Sequence, residues 1–98
     1  MYASVSTGQV QPGKMDEYLS ICRESVKPLI EGFPGVKNLY VLTNAEKDKG
    51  MTIALYETEA DAERTQTSGD FQKAMGMLSS TLVLESVVRE GYEVSIQI

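Results

Sequence analysis

The chain has 98 residues, 42% of them apolar and 23% charged, and nine basic against fourteen acidic side chains give a net charge of −5; this describes one globular domain over residues 1–98 whose acidity argues against a nucleic-acid partner. No apolar run approaches the ~20 residues of a membrane span, the first residues lack a leader's basic and apolar parts, and Cys22 stands alone, so a cytoplasmic chain without an intrachain disulfide is expected. The absence of histidine removes Ser-His-Asp and Cys-His catalysis, His-ligated haem and imidazole-bound zinc, and no metal is expected.

In chain order, residues 2–10 alternate, with Ala3, Val5 and Thr7 on one face and Ser4, Ser6 and Gly8 on the other. This predicts a strand, which Pro12-Gly13 ends. Met15, Tyr18, Leu19, Cys22, Val26, Leu29 and Ile30 recur at steps of three and four, the mark of a helix with one apolar stripe. Asp16 and Glu17 suit its first turn, and Gly32 suits a left-handed C-terminal cap. Pro28 has no N–H and crowds the carbonyl of Glu24, so a kink or an early helix end is expected there. Residues 36–43 are rich in β-formers and residues 51–57 alternate, which predicts a hairpin across the charged segment 44–50.

Thr58 with Asp61 resembles a capping box and opens a short helix through Thr67. Ser68-Gly69 caps a second helix, whose stripe is Phe71, Ala74, Met75, Leu78 and Leu82. Residues 83–89 predict a strand and Glu90-Gly91 a tight turn. Tyr92, Val94, Ile96 and Ile98 alternate with Glu93, Ser95 and Gln97 as a last amphipathic strand. The order β-α-β-β-α-β-β is α+β, an antiparallel sheet with its helices on one face.

The other sheet face then needs a cover. Ser4, Ser6, Thr52, Ala54 and Tyr56, with Tyr92 or its neighbours, are expected to point there. That mixture suits packing against a second sheet. A second copy related by a two-fold axis supplies one, over about 800 Å² or more per partner, with the C-terminal strand reaching across.

Several local patterns then fall in a familiar order: Gln11-Pro12-Gly13-Lys14, Asp16-Glu17-Tyr18, Val26-Lys27-Pro28, Phe33-Pro34-Gly35-Val36, Thr52 through Glu57, and Ser68-Gly69-Asp70-Phe71. In these, the chain resembles the antibiotic biosynthesis monooxygenase family of the dimeric α+β barrel superfamily. The resemblance implies a ferredoxin-like domain that forms a dimeric α+β barrel, and a proline at this point of the first helix. It also implies oxidation of small phenols or quinols by O₂ without metal or flavin. The haem-degrading branch is similar in fold only, since its histidine ligand and pocket tryptophan have no counterpart here. A non-catalytic dimer that binds a small ligand on the same fold is the alternative.

Tyr18, Tyr40, Tyr56 and Phe71 are candidates to line a cavity for a planar ring, with Asn38 as a polar group and Cys22 and Met75 as further walls. Core or interface packing is the competing role for each aromatic, and an inert buried thiol that for Cys22. No catalytic residue is assigned. The carboxylate pairs Asp16-Glu17, Glu46 with Asp48, and Asp61 with Glu63 lack calcium-loop spacing and suit helix starts and solvated turns. Arg89 is expected to pair with Glu85 or to contact a second copy.

Overall fold

Alternating apolar and polar residues bury one face of a strand, and four such segments join here in one antiparallel sheet of order β2-β3-β1-β4. They are β1 (Tyr2–Gln9), β2 (Val36–Asn44), β3 (Lys49–Tyr56) and β4 (Val88–Glu93), in a computed structural model that describes residues 1–98. β2 and β3 make the expected hairpin. Its turn is a 3₁₀ segment, Ala45–Lys47, in which the Asn44 side chain accepts from the Lys47 N–H and Asp48 takes the left-handed conformation at φ 50°. The helices lie on one face, so the α+β ferredoxin-like arrangement is as expected.

The first helical region runs α1 (Met15–Ile21), a π-helical turn (Cys22–Val26) and α2 (Lys27–Glu31). The wide turn is the physical answer to Pro28. A proline can neither bond to the carbonyl one turn back nor tolerate it at α-helical distance, and an inserted π turn moves that carbonyl away. Gly32 does not form the left-handed cap, since its φ is −80°. Gly35 takes the positive φ instead, at 82° in the Phe33-Pro34-Gly35 turn, where the Asp61 side chain fills the space a Cβ would need.

The two later helices start where the capping residues place them. Thr58 Oγ1 accepts from the Asp61 N–H at 3.2 Å and opens α3 (Glu59–Gln66). Ser68 Oγ accepts from the Phe71 N–H at 3.1 Å and opens α4 (Gly69–Ser79). The main core joins Val10, Tyr18, Cys22, Val26, Ile30, Phe71, Ala74 and Leu78, with Ala54, Tyr56 and Ala62 as a smaller group. No helix is long and apolar enough to cross a membrane.

Two expectations are corrected. The expected pair of C-terminal strands is a single one. Leu84–Ser86 is a 3₁₀ turn, and β4 passes straight through Glu90-Gly91 with Gly91 opposite Ser4. Gly91 is needed for room, because a Cβ there would meet the Tyr2 hydroxyl. Residues 94–98 form no element, and Val94 N–H reaches the Met1 carbonyl at 2.9 Å.

The second correction concerns the two sheet faces. Pairs Tyr2–Tyr56, Ser4–Ala54 and Ser6–Thr52 share a face by register, and it is the helix-covered one, since Gln66 of α3 bonds to Ser4. The open face carries Val5, Ile53 and Leu55, with Tyr40, Leu42, Val88 and Tyr92. A β-bulge between Val36 and Asn38 sets the phase of β2, placing Leu39 and Val41 inward and Asn38 and Tyr40 outward. The uncovered face is therefore more apolar than the alternation suggested.

Candidate functional site

Between the covered sheet face and α1 and α4 lies a cavity of about 180 Å³. A smaller lobe of about 30 Å³ continues toward α3. The two lobes share Ser6, Thr52, Met75 and Arg89, which form the waist between them. Tyr18, Leu78, Leu82, Leu84 and Val87 wall the larger lobe. Ser4, Tyr56, Gln66 and Phe71 line the smaller one. Apolar walls with a few convergent polar groups are the general form of a small-molecule site.

Local sequence explains this hollow. Gly8 and Gly50 are cross-strand partners on the covered face, so nothing rises from the sheet at that pair. The Tyr18 ring fills part of the gap, and a Cβ on Gly50 would stand 2.6 Å from its Oη. Ser4 and Ser6, shorter than the β-branched aliphatics usual in a core strand, leave the rest open.

Arg89 is the one charged side chain in the lining. Its Nε donates to Ser6 Oγ at 3.2 Å, and its guanidinium stands 5.3 Å over the Phe71 ring centroid. The expected pair with Glu85 does not form; the ion pairs of the molecule are Lys14–Glu17, Lys27–Glu31, Lys37–Glu57 and Arg64–Asp61. The exposed guanidinium is thus held by a neutral hydroxyl and a ring and makes no ion pair. Across the waist, Gln66 Nε2 donates to Ser4 Oγ at 2.6 Å.

Both tyrosines are held protonated. Burial pushes the Tyr18 phenol well above its ordinary value, with the Cys22 thiol beside it adding to the rise. Burial also raises Tyr56, offset in part by its hydrogen bond with Thr65 and by the charge of Arg89. These groups can donate hydrogen bonds, and none is a base near neutral pH. No three Cys, Asp or Glu side chains converge anywhere in the chain to hold a metal ion.

Of the residues singled out from sequence, Tyr18, Tyr56, Phe71 and Met75 border this cavity. Cys22 does not: it is buried behind Tyr18 and faces a shallow groove with Leu19, Arg23, Lys27, Leu39 and Val41. Its thiol is also raised by burial, which disfavours the reactive thiolate. Asn38 and Tyr40 lie on the opposite sheet face. Sequence reasoning missed Arg89, Ser4, Ser6, Thr52 and Gln66. Two-residue alternation separates the faces of a strand but does not say which face the helices cover.

A depression of about 560 Å³ at the hairpin end of the sheet is larger, but only two of its ten lining residues are hydrophobic. It lacks the apolar walls that would hold a ring.

The family model described as antibiotic biosynthesis monooxygenase matches residues 1–77. Among curated proteins no match is found. A single-residue variant of SnoaB, a cofactor-independent oxygenase from Streptomyces nogalater, superposes with a TM-score of 0.84 at 14% identity, over 99% of this chain and 95% of that one. A conserved protein from Methanosarcina mazei Go1 gives 0.81 at 18% identity, over 94% and 90%. A protein from Mycobacterium tuberculosis gives 0.80 at 9% identity, over 98% and 96%. At these identities the similarity is one of fold.

Proposed function

The chain belongs to the antibiotic biosynthesis monooxygenase family, and from that premise we propose that it is a cofactor-independent monooxygenase of a small aromatic or quinol. It works as a single-domain homodimer in the cytoplasm. The observation that carries this reading is the walled cavity between sheet and helices, with one arginine free of ion pairs at its waist. The description of SnoaB as a cofactor-independent oxygenase supports it.

The stoichiometry needs no external reductant. One phenol and one O₂ give one quinone and one water: an oxygen atom replaces the ring hydrogen as the new carbonyl, the other leaves as water, and the electrons all come from the substrate. Tyr18, Tyr56, Phe71 and Met75 position the ring. Arg89 stabilises the phenolate from the rim of the cavity.

The open sheet face is the dimer surface. Tyr40, Leu42, Val88 and Tyr92 stand there 47–50% exposed beside Val5, Ile53 and Leu55, an apolar patch that a second copy covers. A non-catalytic ligand-binding dimer is the second reading, favoured by the lack of a base in the lining.

Oxygen uptake separates the two. Metal-free protein, given a panel of naphthalenediols and quinols against a heat-denatured blank, should show uptake that saturates with substrate. Arg89→Met should lower the saturating rate about a hundredfold, whereas Tyr40→Phe, on the other face, should leave it unchanged. No uptake across the panel would favour the binding protein.

A further inference from the structure

We infer that Leu84 is the specificity-determining residue of the cavity: it holds a second apolar ring of the ligand at the mouth, so the site prefers a fused two-ring phenol to a single-ring one. This rests on the reading of the cavity as the ligand site. It deepens that reading by naming the residue that selects the ligand's size.

The volume of the larger lobe leaves a second ring only one place to go. An apolar cavity of roughly 150 Å³ holds one benzene. At about 180 Å³, the lobe takes one ring against Met75, Leu78 and Leu82, and a second fused ring must lie at the mouth. The exposed members of the lining are Leu84, Val87 and Arg89, so these residues mark the mouth. Two of the three are apolar, with Leu84 63% and Val87 38% exposed.

An exposed leucine on a protein surface is ordinary. This one stands on a segment that is fixed to the sheet on both sides of it. Val83 N–H donates to the Gln9 carbonyl at 2.8 Å, and Gln9 N–H donates to Ser86 Oγ at 2.8 Å. Gln11 Nε2 donates to the Leu82 carbonyl at 3.0 Å. The 3₁₀ turn Leu84–Ser86 is therefore tied to the end of β1. Gly8 lets the flanking side chains settle on that strand: a Cβ there would stand 3.4 Å from Val87 Cγ2 and 3.5 Å from Leu82 Cδ2. Leu84 and Val87 thus form an apolar lip that is in place before any ligand arrives, and binding against it carries little ordering cost. A ring laid on this lip removes apolar surface of both partners from water. A single-ring ligand, seated deeper in the lobe, gains little from it.

Phenol and 2-naphthol differ by this one ring, and both are un-ionised near neutral pH, so their charge does not separate them. Titrations of the protein followed by NMR should give the parent an affinity for 2-naphthol about tenfold above that for phenol. Leu84→Ala should cut that ratio about fivefold and Leu84→Ser at least as far, whereas Leu84→Met should keep it. A merely structural role for Leu84 would weaken both ligands together and leave the ratio as it was. Unchanged thermal denaturation of these variants, in which an exposed side chain is replaced, shows that the fold is intact. A parent that binds the two compounds equally, or a Leu84→Ala variant with the parent's ratio, would overturn the inference and leave the cavity reading standing. Binding of neither compound to the parent would overturn both. Oxygen uptake tests the monooxygenase reading separately.

Discussion

Tyr18 is fixed by a residue that has no side chain. Its ring lies against Gly50, and a Cβ there would come within 2.6 Å of the Oη and 2.7 Å of Cζ. Gly50→Ala must therefore push the ring into the cavity or bend β3. Overpacking of this kind costs about 1–3 kcal/mol, more than the gain from removing a strand glycine. A Tyr18→Phe background should not restore stability, because the ring carbon Cζ is as close as the hydroxyl. Thermal denaturation of the two variants and their combination measures this, and recovery in the combination would locate the conflict at the hydroxyl alone. Tyr18, Phe71 and Met75 were legible in the sequence as pocket candidates because they lie on the apolar stripes of their helices, whereas Tyr56 and Tyr40, both strand aromatics, turned out to face opposite sides of the sheet. Arg89 was not, because its partners Ser6 and Phe71 are 83 and 18 residues distant in sequence, and only pairing with β1 brings them together.

At the scale of elements, local chemistry acts where the sequence places it. The hydroxyl of Ser68 caps the helix that carries Phe71, Ala74 and Leu78 into the core. Ser68→Ala leaves the Phe71 N–H without its acceptor and should lower stability by about 1 kcal/mol. Chemical denaturation should show this as a lower midpoint with an unchanged slope, and a changed slope would point to a wider loss of structure. Pro28 shows the same principle. Its missing N–H forced an irregularity that the sequence announced, but the form was a π turn rather than a kink or an end, because continuing the helix keeps Ile30 in the core. The C-terminal strands misled for the opposite reason. Glu90-Gly91 has the composition of a turn, yet the edge of β1 was available for pairing along six residues and the strand ran through it.

At the scale of the molecule, the proposed dimer rests on the uncovered sheet face. Ile53 sits in its middle, flanked by Val5 and Tyr40 on the neighbouring strands. In the proposed dimer, Ile53→Lys buries a charge with no partner. Light scattering at micromolar concentration should find the parent at twice the mass of its chain and the variant at one chain mass with its helices retained. A parent of single-chain mass would remove the dimer.

The sequence by itself determined the first strand, the helices and the hairpin in their order, the N-terminal caps at Thr58 and Ser68, the lack of imidazole chemistry and the family. Each of these depends on residues close together along the chain or on composition alone. The tertiary structure decided which face of the sheet the helices cover. That single choice turned Ser4, Ser6 and Thr52 from expected dimer-surface residues into cavity walls, and brought Arg89 over Phe71. Alternation along a strand is symmetric under exchange of its two faces. What breaks the symmetry is long-range packing: Tyr56 and Ala54 with Ala62, and Tyr18 against the Gly8–Gly50 pair, where burial of the larger apolar stripe of the helices outweighed the polarity of a few short hydroxyl side chains.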